Sequence, residues 1–389
     1  MNTLKAGLWM STLLLLHAPA TAAAAPQSSA PNAGYKTIEI PFTSHDGHGM
    51  LGKLTLPATG GPFPVVVFVQ TAEAATADTR VQGPQGPVDF FDMYRREFAA
   101  MNVAFFAYEG RGARLGTQPP RYVELDRAVY DTSTLDNKVR DAISAVRVLQ
   151  KQAGINASQV WLHSMSEGTL LCAETAARIP DEIKGIVLAS VLNDMKATLK
   201  FMMSDGMFAQ HQGHWDANRD GTITAAEFEA DPRGIRKRMT PGITLASFDR
   251  TADGTYTVED ARTNARPATD AVDSQNMEIL NAWVKAVAMV DIPAGWIRDH
   301  LDHAPTETFL TRLRMPVGFF QGEADALTPA SEIHALERRM QAAGKTNMEF
   351  HYFPGLGHDL GGMQYFTGGV PSPAFAAVLE YMKRQVALK

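Results

Sequence analysis

Cysteine is nearly absent. Cys172 is the single one in 389 residues, so no intramolecular disulfide can form, and stability has to come from core size or a bound metal. Zinc spacing is missing as well. No His-x-x-x-His or comparable cluster occurs, and His300 with His303 is a lone pair, which speaks against a metal-dependent hydrolase. No glycine-rich phosphate loop opens a helix. Charge of one sign is in small excess only. The net charge of −6 argues against nucleic acid or an anionic membrane surface as the main partner. The N-terminal apolar run, from Ala6 to about Leu16, is too short for a stable bilayer anchor.

Hydrophobic residues make up 45% of the chain and charged residues 20%. That balance suits a soluble globular protein whose core can bury itself, as one large domain or two ordinary ones. Lys5, the apolar run, and then Ala18, Pro19, Ala20, Thr21 and Ala22 to Ala25 follow the order of a secretory signal peptide. A signal over 1–25, cleaved near residues 20–25, is expected, with export to the periplasm or medium. No cysteine follows it, so no lipid anchor is expected. Residues 26 to about 34 are rich in Pro, Ser and Asn and are expected to lack fixed structure.

Lys36 to Phe42 alternates, with Ile38, Ile40 and Phe42 on one face, and Met50 to Leu56 follows the turn Asp46-Gly47. The pair reads as an antiparallel hairpin at a sheet edge. Continuous apolar runs, the mark of strands buried on both faces, occupy Pro64 to Val69, Val103 to Tyr108, Gln159 to His163, Ile183 to Val191, Pro316 to Phe320 and Met348 to Phe353. Helical spacing fills the gaps at Asp89–Met101, Lys138–Gln152, Glu167–Ile179, Ser331–Ala343 and Ala374–Val386. The alternation predicts a mostly parallel sheet with helices on both faces, an α/β class. It stops between roughly 196 and 299. That stretch reads as an inserted cap over the strand ends, dividing the core into 26–195 and 300–389.

Ser164-Met165-Ser166-Glu167-Gly168 follows a buried strand and precedes a helix. A serine at a sharp strand-to-helix turn needs small residues two places to either side, and Ser164 and Gly168 supply them around Ser166. The turn exposes the hydroxyl and leaves the first helical N–H groups free for an oxyanion. Ser164 is the rival nucleophile, but its own neighbour two places back is Leu162. An ordinary N-cap serine is the bland reading.

This segment resembles the nucleophile elbow of the α/β-hydrolase superfamily, in the variant where Ser-Glu-Gly follows a small residue. The resemblance covers about 36–195 and 300–389 and implies a triad in the order serine, acid, histidine. Gln321-Gly322-Glu323-Ala324-Asp325 matches the family's pattern after strand seven and makes Asp325 the acid, with Glu323 as runner-up. His358, in Pro354-Gly355-Leu356-Gly357-His358 after the last strand, matches the base. His351 lies inside a strand and reads as structural, while His211, His214, His300 and His303 fall in or beside the insertion. The resemblance implies oxyanion donors from the N–H of Glu167 and from the loop Gln70-Thr71-Ala72. The family's usual His-Gly is replaced there by Gln-Thr, and Ala72 is the favoured donor. In Tyr108-Glu109-Gly110-Arg111-Gly112, a substrate role for Arg111 is a guess.

Asp216-Ala217-Asn218-Arg219-Asp220-Gly221-Thr222-Ile223-Thr224-Ala225-Ala226-Glu227 fits a twelve-residue EF-hand loop at every diagnostic position. The expected Ca2+ ligands are Asp216, Asn218, Asp220, the Thr222 carbonyl and Glu227. A second copy offers Asp249, Thr251, Asp253, Thr255 and Asp260, with Gly254 at the turn. Its Thr at position 3 and shorter Asp at position 12 predict weak or no binding. Paired loops are expected to meet at position 8, here Ile223 and Tyr256.

Three functions remain open: a carboxylic ester hydrolase working through an acyl-enzyme, a serine peptidase or amidase with the same triad, and a non-catalytic calcium-binding structural protein. The first two imply a small-molecule ester or amide substrate. Calcium is expected to be structural, with no cofactor for the chemistry, no nucleic acid and no stable membrane anchor; protein partners are not indicated.

Overall fold

Two alternating runs open the described part of the chain. The computed structural model describes residues 34–83, 85–232, 234–236, 242–287 and 292–387. The expected signal peptide, and the Pro/Ser/Asn stretch apart from Gly34, lie outside them. Strands β1 (Tyr35–Thr43) and β2 (Gly49–Pro57) pair antiparallel, with Ile38 opposite Leu54 and Phe42 opposite Met50.

The apolar runs then form β3 (Phe63–Phe68), β4 (Ala104–Tyr108), β5 (Ile155–Ser166), β6 (Gly185–Val191), β7 (Val317–Gly322) and β8 (Met348–Phe353). These eight strands make one sheet in the order β1-β2-β4-β3-β5-β6-β7-β8. β2 runs antiparallel to both its neighbours, and every pairing from β4 through β8 is parallel. The carboxyl ends of β3, β5, β7 and β8 therefore open on one edge, where such sheets build their sites.

Alternate residues of the central strands supply two cores. Val65, Val67, Leu162, Ile186, Leu188 and Phe319 face one side; Val66, Phe68, Trp161, Val187 and Phe320 face the other. The first is covered by α2 (Leu135–Leu149), α3 (Glu167–Arg178) and α11 (Ala330–Ala342). The second is covered by α1 (Phe91–Ala100) and α12 (Pro373–Ala387). In α2 the apolar face Leu135, Val139, Ala142, Val146 and Leu149 is buried, and the Thr134 side chain accepts from the Asn137 N–H to start the helix.

Between β6 and β7 the strand–helix alternation is replaced, among the described residues, by seven helices, single turns aside. They are α4 (Met195–Met203), α5 (Asp205–Trp215), α6 (Ala225–Ala230), α7 (Val258–Asp273), α8 (Met277–Val287), α9 (Trp296–Asp302) and α10 (Thr306–Leu310). The Asp216–Glu227 and Asp249–Asp260 segments lie side by side. They are joined by a two-residue antiparallel bridge that sets Ile223 opposite Tyr256. Phe208, Trp215, Ile223, Phe228, Phe248 and Tyr256 form a separate apolar core beneath the bridge. Two short hairpins, Arg80–Gly83 with Gly86–Asp89 and Ala113–Leu115 with Val123–Leu125, were not anticipated from the sequence.

Candidate active site

Ser166 ends β5 and precedes the first turn of α3, with φ 56° and ψ −134°. A non-glycine residue in that region costs about 1–3 kcal/mol and persists only where its surroundings fix it. Here Gly168 permits the close approach. A Cβ on it would lie 1.8 Å from Ser164 Oγ and 2.8 Å from the Gln70 carbonyl oxygen. Ser164 is fully buried and its hydroxyl donates to the Val69 carbonyl at 2.7 Å. Its role is to tie β5 to the end of β3, and Ser166 is the more exposed of the two.

The histidine loop is fixed against this elbow. Val191 of β6 pairs with Ser166, and the register shifts at Ser190, whose φ is 47°. From that bulge the Ser190 hydroxyl donates to the His358 carbonyl at 2.6 Å. Gln321, on β7, accepts from the Val191 N–H at 2.8 Å and donates to Asp325 at 3.2 Å. One irregular β6 residue pair thus anchors both the His358 loop and, through Gln321, the Asp325 loop.

Asp325 and His358 meet directly, with His358 Nδ1 2.9 Å from one carboxylate oxygen and 3.1 Å from the other. The Leu327 and Thr328 N–H groups donate to Asp325 Oδ1, and the Thr328 hydroxyl donates to Oδ2 at 2.6 Å. Burial alone would raise the Asp325 carboxyl. The charge of His358 and the hydrogen bonds outweigh it, and the group stays below the ordinary carboxylate range. For His358, burial acts downward, and the attraction of Asp325 exceeds it, so its pKa lies above the ordinary 6.5. With Nδ1 held by Asp325, Nε2 is the ring nitrogen not engaged by that carboxylate.

Glu323, the rival acid, is exposed and 3.5 Å from His334. His351 stacks on Phe320 with ring centroids 4.7 Å apart. His211 is buried among the rings under the loop bridge, where desolvation pushes its pKa down to about 3, and His214 packs edge-on against Trp215 in the same place. His303 reaches Glu174 of α3. His300 alone of the four comes up against the elbow, 3.0 Å from the Glu167 carboxylate. Arg111 is not available to a substrate. Its guanidinium is 3% exposed, makes two 2.7 Å bonds to Asp141, and reaches Asp46 at 2.6 Å.

Glu167 carries a buried network that the sequence did not reveal. One carboxylate oxygen accepts from Lys138 Nζ at 2.6 Å, and the other accepts from Trp296 Nε1 at 2.6 Å. Burial would raise its pKa. The charge of Lys138 and the contact with His300 hold it well below the carboxylate range. Trp296 and His300 belong to α9, so this carboxylate fastens the last part of the insertion to the core.

In the Asp216–Glu227 loop the side-chain oxygens are turned onto the loop's own amides. Asp216 accepts from the Asp220 and Gly221 N–H groups, Asn218 from Asp220, and Asp220 from Thr222. Glu227 closes back on the N–H groups of Ala217 and Thr224. In the second loop Asp249 accepts from Ala252 and Gly254, Asp253 from Thr255, and Asp260 from Thr251 and Thr257. Among the described residues no three His, Cys, Asp or Glu side chains converge as they would around an ion.

No family model matches the chain. Esterase EstD of Thermotoga maritima is 26% identical over 166 residues, 41% of this chain, and the match spans only 36% of that relative's length. Solved structures superpose over nearly the whole chain, and two serve as examples. A hypothetical protein of Pseudomonas aeruginosa does so with TM-score 0.53 at 11% identity, over 94% of this chain and 100% of its own. The alpha/beta hydrolase GrgF of Penicillium sp. sh18 gives 0.51 at 14% identity, over 91% and 100%. The chain has the α/β-hydrolase fold. At these identities the structural likeness carries the architecture and nothing finer.

Proposed function

We propose that this protein is a serine hydrolase that cleaves a carboxylic ester. His358 Nε2 takes the proton of the Ser166 hydroxyl as the oxygen attacks the carbonyl carbon, and Asp325 steadies the imidazolium that results. The same imidazolium returns its proton to the departing alcohol. Water, deprotonated by His358, then releases the acid from Ser166. Backbone N–H groups of Glu167 and Ala72 stabilise the tetrahedral oxyanion. The observation that carries this reading is the strained serine at the end of a buried parallel strand, with an Asp-bound histidine loop hydrogen-bonded to the adjoining β6 bulge. The partial likeness to an esterase supports ester over amide.

The donor set of the first loop, all oxygen, suits a hard divalent cation. Asp216, Asn218, Asp220, the Thr222 carbonyl and Glu227 would hold Ca2+, whose contribution would be to order the insertion. The N-terminal segment supports export, where calcium is abundant.

The test is turnover of a p-nitrophenyl ester beside aminoacyl and prolyl anilides. Wild type is expected to prefer the ester, and Ser166→Ala is expected to lose more than about 10³-fold in kcat while keeping its melting temperature. A Ser166→Ala protein with undiminished ester turnover would end the proposal, and a clear preference for anilides would redirect it to peptide bonds.

A further inference from the structure

Lys138 stands on α2 with 7% of its surface exposed. An ammonium carries three N–H donors and accepts nothing. Its partners come from two segments that are remote in sequence. Nζ lies 2.9 Å from the Thr71 carbonyl and 3.4 Å from the Ala72 carbonyl, both in the loop after β3. It also lies 2.6 Å from Glu167 Oε1, on the residue that follows the nucleophile.

The orientation of these carbonyls has a consequence at the front of the loop. In a trans peptide the C=O and the next N–H point in opposite directions. Turning the Thr71 carbonyl back onto Lys138 therefore turns the Ala72 N–H away from it. The Ala72 carbonyl is held on the same inner side by the Tyr130 hydroxyl at 3.3 Å. The Ala72 N–H donates to no backbone or side-chain group among the described residues. The Glu167 N–H, at the first position of α3, has no acceptor one turn back. The Ala72 N–H thus shares a rigid peptide unit with the Thr71 carbonyl that Lys138 holds, and the Glu167 N–H belongs to the residue whose carboxylate Lys138 holds.

Resting on the hydrolase reading above, we propose that Lys138 is the positioning residue of the oxyanion hole, fixing from one ammonium group both segments that supply its N–H donors. It touches no substrate. Its contribution is to keep the donors within the 2.7–3.1 Å that a developing oxyanion requires, an interaction made in the transition state and not in the ground state. Glu167 neutralises the buried charge and is itself pinned from the far side by Trp296 and His300.

A counter-ion for Glu167 with no role at the oxyanion would stabilise the fold and leave kcat alone, which makes the two accounts separable. Lys138→Met by itself strands a buried carboxylate and risks the fold. Lys138→Met/Glu167→Gln removes both charges and retains an acceptor for Trp296. The double variant, verified as folded by its melting transition, is expected to lose about 10- to 100-fold in kcat on a p-nitrophenyl ester with KM within about twofold. A boronic acid that mimics the tetrahedral adduct should weaken in parallel. Lys138→Arg, which keeps charge and donors, should recover part of the loss. A folded double variant with wild-type kcat, or with only KM changed, overturns the proposal. A wild-type protein that neither turns over esters nor labels with a fluorophosphonate overturns the hydrolase reading instead.

Discussion

Gly168→Ala places a methyl group in space that the elbow has already filled. The new methyl would lie 1.8 Å from Ser164 Oγ, 2.9 Å from Ser164 Cβ and 2.8 Å from the Gln70 carbonyl oxygen. The hydroxyl could rotate, although that breaks its bond to Val69. The Gln70 carbonyl is main chain and cannot. Moving it to an ordinary contact near 3.4 Å requires a shift of about 0.6 Å in the strand end that leads into Thr71 and Ala72. Overpacking of this kind costs about 1–3 kcal/mol. Because the displaced segment carries the proposed oxyanion donor, kcat should fall by roughly 100-fold, beyond what the lost stability explains. Thermal melting and ester kinetics on the same preparation separate the two effects. Ser164→Ala/Gly168→Ala should regain part of the melting temperature but not the rate, since the Gln70 contact persists. Wild-type melting and kcat in Gly168→Ala would show that the Gln70 carbonyl does not constrain the elbow.

The raised pKa of His358 fixes the direction of the pH dependence: its imidazole must be neutral to act as base, so kcat/KM should rise with pH through a value above 6.5. The stabilising His358–Asp325 attraction is present in full below 6.5 and declines as pH climbs through that same raised value; an acid limb centred below 6.5 would contradict both statements. Calcium at about 10 mM should raise unfolding free energy by about 2 kcal/mol if the first loop binds with the affinity of extracellular sites. Asp220→Asn/Glu227→Gln should abolish that shift, and identical melting in EDTA and calcium would remove calcium from the account.

Much of the candidate site is legible in residue order because its parts are local. The pinched turn around Ser166 needs small residues at 164 and 168, and the acid and histidine each follow a strand whose apolar run is continuous. The position-8 pairing of Ile223 with Tyr256 was legible for the same reason, being written within each loop. Lys138 was not. On α2 it falls among residues whose spacing defines an amphipathic helix, and a buried lysine there looks like any helical surface lysine until its partners on two other segments are known. Ser190 and Gln321 were hidden similarly, since a bulge partner and a strand glutamine have no motif of their own. Arg111 misled in the opposite sense. Its glycine-flanked loop suggested access to substrate, while Asp46 and Asp141, distant in sequence, enclose it. The Trp296 and His300 contacts with Glu167 depend on how the insertion folds back, which no periodicity encodes.

We propose Ser166 as a nucleophile activated by His358. The most direct test is the intact mass of the protein after reaction with excess fluorophosphonate, followed by mapping of the adduct. One equivalent on the peptide containing Ser166, lost in both Ser166→Ala and His358→Ala, is the predicted result. An adduct on Ser164, or full labelling of Ser166 in His358→Ala, would contradict it.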